Sequence, residues 1–186
     1  MPESSSIGAG RIHRFVTVSL ARELGVLLAL SVMFPFMIHV LPVPGDSQWG
    51  PRLLPMFYAP LLAALWGRLR SAAAVALLAP WLNWALTGHP SPSLAVVTMV
   101  ELSGFVLVVR GLLTGLGARW YLAAPAYLAG MAAAALVVGL LPFLIAGRPA
   151  LVWTAQCIVT GEPGIVILLV INWLALSFYP PGAAAA

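Results

Sequence analysis

SLAVVTMVELSGFVLVVRGLLT, at residues 93–114, is an apolar stretch with a single acidic side chain, Glu101, near its middle. A helix needs about 20 predominantly apolar residues to cross the hydrocarbon core of a bilayer. This stretch has that length, and apolar runs of similar length recur along the chain. The pattern predicts an all-α integral membrane protein.

The overall composition also indicates that lipid is the solvent. Of the 186 residues, 62% are hydrophobic and 8% are charged, and the mean hydropathy is +1.02. A soluble domain carries charge on about a quarter of its residues. The net charge of +4 includes no run of basic residues, so no nucleic-acid partner is expected. Cys157 is the only cysteine, which excludes an intrachain disulfide and a cysteine-based metal site; no metal and no cofactor are predicted.

Six membrane spans can be placed between a cytoplasmic N-terminal segment at 1–15 and a disordered tail at 180–186. Prolines in the second and third spans free backbone carbonyls, so these spans are predicted to lie where neighbouring protein can satisfy them. The six-helix membrane domain covers residues 16–179, with spans at about 16–40, 53–67, 71–87, 93–114, 121–146 and 163–179.

The arginines are distributed unequally between the two sides of this layout. By the positive-inside rule the side with more arginines is cytoplasmic, which predicts that both termini are cytoplasmic. The outer side then holds connections at 41–52, 88–92 and 147–162, rich in Pro, Gly and Trp and predicted to be ordered caps. Arg52 and Arg148 lie on the outer side, and the cytoplasmic side carries Arg11, Arg14, Arg22, Arg68, Arg70, Arg110 and Arg119.

Glu101 is the sharpest candidate for a functional residue. It lies about 13 Å into its span at 1.5 Å per residue, close to the membrane midplane. A carboxylate at that depth costs several kcal/mol unless it is protonated, paired or solvated. Arg110 falls on the opposite helix face. Glu101 is therefore either a ligand contact in an outward-open pocket or a structural hydrogen-bond partner of a neighbouring helix.

Further ligand-binding candidates lie near the predicted outer surface. Asn83 stands between Trp81 and Trp84, where the indoles form either a stacking wall for a planar ligand or an interfacial aromatic belt. Two histidines without a third ligand are a weak metal signal and are often plain polar surface. Asn172 is a further intramembrane polar residue, read as structural. Residues that can line the outer mouth are His39, His89, Trp49, Arg52, Tyr58, Trp153 and Gln156.

Span one carries a ladder of small residues, Ala21, Gly25 and Ala29. Small residues four apart lie on one helix face and let a second helix approach closely. The ladder predicts a docking surface, although such spacing also arises by chance in an alanine-rich chain.

Several short motifs occur in a recognisable order along the chain. They resemble the substrate-binding S components of energy-coupling factor (ECF) vitamin transporters, over most of the chain from span one to span six. The sequence departs from relatives at Phe57, where they carry His, at His89, where they carry Met, and at Phe105. The motifs are Pro55-Met56, Pro80 to Asn83, Leu86-Thr-Gly-His-Pro90, Met99, Glu101-Leu102 and Gly161-Glu-Pro-Gly-Ile165.

The resemblance implies a six-helix S component in a bacterial or archaeal cytoplasmic membrane. It would bind a vitamin-like micronutrient from outside, such as cobalamin or a queuosine precursor, and work with a transmembrane T subunit and two ATPase subunits. The Ala21/Gly25/Ala29 ladder matches the family motif that docks on the T subunit. The chain itself would not be an enzyme.

Two alternatives stay open. The first is a non-transport scaffold or assembly subunit with the same six-helix shape, in which Glu101 and Asn83 pair with other helices. The second is a membrane enzyme, for which Glu101 with His89 is the only crude pair, since no phosphate-binding loop, nucleophile elbow or zinc-protease motif is present.

Overall fold

The computed structural model describes residues 6–40 and 49–178, with side chains from residue 20 onward except that of His39. The tail predicted at 180–186 lies outside the described residues. The described part is 87% helical and has no strand, which confirms the all-α prediction. Its helices are α1 (Ser6–Val40), α2 (Trp49–Leu53), α3 (Tyr58–Trp66), α4 (Leu69–Thr87), α5 (Pro92–Leu116), α6 (Ala123–Leu140), α7 (Ala150–Thr160) and α8 (Glu162–Phe178), with 3-10 turns at Pro55–Phe57 and Pro142–Ile145.

Four helices in the described part are long and apolar enough to cross a membrane: Leu20–Ile38 within α1, and α4, α5 and α6. The α7–α8 pair makes a fifth if it is counted as one span bent by 58°. The segment Pro55–Trp66 is apolar but shorter. Four to five candidate spans are consistent with a multi-pass membrane protein, whereas the predicted count of six needs Pro55–Trp66 as well.

Helix α7 differs from the sequence-based prediction. The stretch 147–162 was expected to be an outer connection, but it contains the helix Ala150–Thr160. This helix has 11 residues and ends next to Gly161. It is too short to meet the length criterion for a span, which is why the hydropathy pattern did not reveal it.

Asn83 joins α4 to α1 where Pro35 interrupts the hydrogen bonding of α1. Proline has no N–H, so the carbonyl four residues earlier, that of Ser31, loses its helical partner. The Nδ2 group of Asn83 donates to the Ser31 carbonyl at 3.0 Å and to the Ala79 carbonyl at 2.9 Å. The Asn83 amide therefore supplies, from inside the bundle, the hydrogen-bond donor that the Ser31 carbonyl lacks.

Asn83→Leu is expected to destabilise the protein by about 1–3 kcal/mol, because the Ser31 carbonyl would be left buried without a donor. Thermal unfolding in detergent measures the change. In a Pro35→Ala background, residue 35 regains its N–H, and the same replacement should cost less. Equal costs in the two backgrounds would contradict this role of Asn83.

The α3–α4 and α5–α6 turns lie at the same end of the bundle, and polar side chains of other helices form hydrogen bonds with their backbones. The Nη1 group of Arg110 donates to the carbonyls of Ala64 and Gly67 at 3.1 and 3.4 Å. Glu23 of α1 accepts from the backbone of the α3–α4 turn, and Asn172 of α8 donates to the backbone of the α5–α6 turn. These contacts give Arg110 and Asn172 structural partners.

Helices α5 and α6 approach each other closely at two glycines. A Cβ atom at Gly130 would lie 2.5 Å from the backbone oxygen of Glu101, and one at Gly104 would lie 3.2 Å from the Gly130 Cα. Glycine permits such close approach of two helix backbones. The contact fixes the height of Glu101 relative to α6.

Candidate functional site

The Glu101 side chain is buried within the described part of the bundle. The residue is 8% exposed, and within the described residues no hydrogen bond or ion pair reaches its side chain. Arg110 does not pair with it, because its guanidinium donates to the end of α3. The described polar side-chain atoms that are fully enclosed and unpaired are Ser71 Oγ, Asn83 Oδ1 and Asn172 Oδ1. Since Glu101 is not among them, its oxygens retain contact with accessible space.

Tyr127 of α6 belongs to the same buried cluster as Phe105, which lies one helical turn after Glu101, and Cys157 of α7 packs against that cluster. The Tyr127 hydroxyl also lies at the break between α7 and α8, 3.0 Å from where a Cβ atom at Gly161 would be. The Tyr127 hydroxyl therefore lies where the α7–α8 pair bends, next to the backbone oxygen of Cys157.

Aromatic rings form the apolar side of this region. Phe57 packs edge to face against Phe105 with ring centroids 5.1 Å apart, and against Tyr127 at 5.3 Å. Phe105 lies one helical turn after Glu101 on α5. We call the five residues Glu101, Phe57, Phe105, Tyr127 and Cys157 the Glu101 site.

The segment before α3 is held against the α7–α8 break. Leu54 has φ 52° and ψ 42°, a left-handed conformation that costs a non-glycine residue about 1–2 kcal/mol. Its Cγ lies 2.6 Å from where a Cβ atom at Gly164 would be, so glycine is needed there. The Tyr58 hydroxyl donates to the Leu53 carbonyl and closes the turn. The motifs around Pro55-Met56 and Gly161 therefore meet beside the Glu101 site.

Asn83 and its flanking tryptophans occupy a different place, on α4 facing α1. The Asn83 side chain is buried, and its Nδ2 is used to bind α1. Trp81 and Trp84 pack edge to face at 6.1 Å, and Trp84 is 40% exposed. No contact between this trio and Glu101 is found in the described part, so its ligand role stays a prediction.

The remaining outer candidates are spread around the surface. His89 is exposed in the turn after α4, where its backbone bonds the Thr87 hydroxyl. Arg52 is exposed, and Trp49 is half-buried. The His39 side chain lies outside the described part. Among the described residues, no three His, Cys, Asp or Glu side chains form a group suited to a metal ion.

The Ala21/Gly25/Ala29 ladder lies on an exposed face of α1. A Cβ atom at Gly25 would have no described atom within 4 Å. The neighbouring Val26 is 55% exposed. Within the described part, this face of α1 is open to a second helix or to lipid.

Sequence reasoning did not identify Tyr127 or Cys157 as site residues. Both lie in apolar surroundings without a local motif, and only the packing of α6 against α5, and of α7 against α6, brings them into the cluster around Phe105. The glycine at position 130 was the available signal, because it marks where α6 can approach α5.

Comparisons with family models, with curated proteins and with solved structures give no match.

Proposed function

We propose that the chain is the substrate-binding S component of an ECF-type importer in a bacterial or archaeal cytoplasmic membrane. It captures a vitamin-like micronutrient at the extracellular side. A T subunit and two ATPase subunits supply the energy, and the chain itself catalyses no reaction. In this layout both termini are cytoplasmic, and the six spans include Pro55–Trp66 and the bent α7–α8 pair.

The buried Glu101 carboxyl group, which has no partner among the described residues, is the observation that carries the proposal. An ionisable side chain inside a membrane helix is by default a functional-site candidate. Polar residues that fasten this bundle, such as Asn83 and Asn172, have backbone partners. Glu101 has none in the described part and retains contact with accessible space, which suits a group that binds a ligand.

The packing of the motifs gives further support. Leu54, next to the Pro55-Met56 element, contacts both Gly161 and Gly164 of the last motif. Phe105, one turn after Glu101 of the fourth-span motif, packs through Phe57 on Tyr127, whose hydroxyl lies against Gly161. Three motifs distant in sequence therefore lie in one packed region, which supports the proposal.

Ligand extraction tests the proposed function directly. Protein purified from a membrane in mild detergent should release a bound micronutrient that mass spectrometry identifies. A panel of vitamins and cofactors should contain a compound that raises the unfolding temperature, because a ligand that binds only the folded state stabilises it. No extracted compound together with no stabilisation across the panel would overturn the proposal.

Gly25→Leu is expected to weaken association with the T subunit by about tenfold or more, because the leucine side chain would fill the open face that a partner helix needs. Ligand affinity should not change, since the position touches nothing in the described part, and thermal stability should rise by about 0.5–1 kcal/mol, because leucine favours the helix over glycine. Co-purification of the complex measures the effect. Gly111→Leu is the matched control, because Gly111 is equally open but lies on α5. Equal loss of association in both variants, or none in either, would count against the ladder.

A scaffold role is the second candidate, and the hydrogen bonds of Asn83, Asn172 and Arg110 favour it. These residues join helices and leave little polar surface for a ligand. The two candidates differ at Glu101: a scaffold needs that side chain for stability, whereas a binding protein needs it for its ligand.

A further inference from the structure

An open apolar groove lies between α3 and α8, toward the end of the bundle that holds the α3–α4 and α5–α6 turns. Its volume is about 280 Å³. Trp66 and Phe178 are the last residues of the two helices and are 45% and 82% exposed. All the side chains that line the groove are apolar: Leu62, Trp66, Ile171, Leu174, Ala175 and Phe178.

The apolar lining does not by itself select an occupant. Helices α4, α5 and α6 are long and apolar enough to span a membrane, so exposed apolar surface of the same bundle meets lipid. Lipid tails are as apolar as leucine, and burying them in the groove gives no hydrophobic gain. The selection must come from polar groups at the end of the groove.

Both walls of the groove are joined to a turn that carries an exposed arginine. On the α3 side, Arg68 follows Trp66 by two residues. On the α8 side, Asn172, next to Ile171, donates through Nδ2 to the Arg119 carbonyl at 3.0 Å. The Arg119 Nε group donates to the carbonyl of Leu116 at 3.3 Å, which holds this guanidinium at the turn.

This end of the bundle has an excess of positive charge. Among the side chains described from residue 20 onward, it carries five arginines and one acid, Glu23, which accepts from the Arg68 backbone. The opposite end carries Arg52 and Arg148 together with Glu162. The five arginines are Arg22, Arg68, Arg70, Arg110 and Arg119.

Aromatic side chains place the arginines at the depth of lipid headgroups. Trp66, Trp120 and Tyr121 are all exposed at this end, and the last two pack edge to face at 5.8 Å. Exposed Trp and Tyr of membrane proteins concentrate at the membrane–water interface. A lipid whose chain lies in the groove therefore has its headgroup near the arginines.

We propose that the groove between α3 and α8 binds one anionic phospholipid, with an acyl chain against the two helices and the headgroup phosphate against Arg68 and Arg119. Arginine forms strong, charge-assisted hydrogen bonds with phosphate, and basic clusters beside membrane helices attract anionic headgroups. The inference does not rest on the proposed function, because an importer subunit and a scaffold could both carry such a site.

Lipid titration followed by native mass spectrometry tests the proposed site. Palmitoyl-oleoyl phosphatidylglycerol and palmitoyl-oleoyl phosphatidylethanolamine have the same chains, but only the first has a net negative charge. The first bound phosphatidylglycerol is expected at a concentration about tenfold lower than the first bound phosphatidylethanolamine. Glycerol phosphate, a headgroup without chains, should not displace the bound lipid. Displacement by glycerol phosphate would show an anion site without a role for the groove and would overturn the inference.

Two pairs of variants assign the preference to the arginines and to the groove. Arg68→Gln with Arg119→Gln should remove it, at about fivefold for each charge, whereas Arg52→Gln with Arg148→Gln, at the opposite end, should leave it intact.

Leu174→Trp should weaken phosphatidylglycerol binding by about tenfold, because the larger ring fills the groove. Leu174 is 38% exposed, so the ring need not enter the core. Leu136→Trp is the matched control, since Leu136 is 71% exposed on α6 and does not line the groove.

The combined variant shows whether arginines and groove act on the same lipid. Leu174→Trp together with the Arg68 and Arg119 replacements should weaken binding by less than the product of the separate losses, because both remove parts of one contact. Losses that multiply would mean that the arginines attract lipid independently of the groove, and would overturn the inference. Unchanged binding in Leu174→Trp would also overturn it and would leave the groove to another helix or to residues 179–186.

Discussion

Replacement of Glu101 by leucine is expected to raise the stability of the ligand-free protein and to abolish micronutrient binding. An unpaired acid loses hydration on burial and gains no partner, and apolar replacement of buried charged groups often stabilises by about 1–4 kcal/mol. The same change removes the group that the ligand contacts. Unfolding temperature without ligand, and its increase with the extracted micronutrient, measure the two effects on the same sample.

Glu23→Leu is the matched control for this prediction. Glu23 accepts a hydrogen bond from the Arg68 backbone at 3.3 Å, so its removal should lower stability by about 0.5–1.5 kcal/mol. Ligand binding should be unaffected, because Glu23 of α1 contacts the α3–α4 turn and is not part of the Glu101 site. If Glu101→Leu lowers stability as Glu23→Leu does, Glu101 fastens helices, and the scaffold role becomes the better explanation.

The long helices were predictable because their apolar runs are long and clearly bounded. The spans expected at 71–87 and 93–114 correspond to Leu69–Thr87 and Pro92–Leu116. Arginines, prolines and glycines stop these runs at both ends. Helix α7 was not predictable by the same means, because Gly161 divides an apolar segment into a short helix and a longer one. The bend of 58° between them lies at Gly161, where the side chains of Leu54 and Tyr127 pack.

The candidate site was predictable only in part. Glu101 stood out as an acid within an apolar run, and its burial agrees with that reading. Asn83 stood out for the same reason, but its use depends on a carbonyl freed by Pro35 in another helix. The sequence pattern identifies a buried polar residue but does not identify the group with which it forms a hydrogen bond. Tyr127 joins Glu101 only because two glycines let α5 and α6 approach.

Gly130→Ala is expected to destabilise the protein by about 1–3 kcal/mol, because the new methyl group would lie 2.5 Å from the Glu101 backbone oxygen. Backbone cannot move aside as a flexible side chain can, so α5 and α6 must separate or slide. Either movement displaces Glu101 relative to the residues of α6. Ligand affinity should therefore fall together with the unfolding temperature, and isothermal titration with the extracted micronutrient measures that loss.

Gly139→Ala on the same helix separates this contact from the general effect of alanine in a helix. A Cβ atom at Gly139 would meet only the Ala150 Cβ, at 3.9 Å, an ordinary contact. Alanine there should stabilise by about 0.5–1 kcal/mol, since it restricts the unfolded chain and favours the helix. The two substitutions add the same methyl group to α6. If the free energy of unfolding falls for Gly130→Ala and rises for Gly139→Ala, the cost belongs to the α5–α6 contact. If both stabilise, the helices separate without cost, and the position of Glu101 does not depend on Gly130.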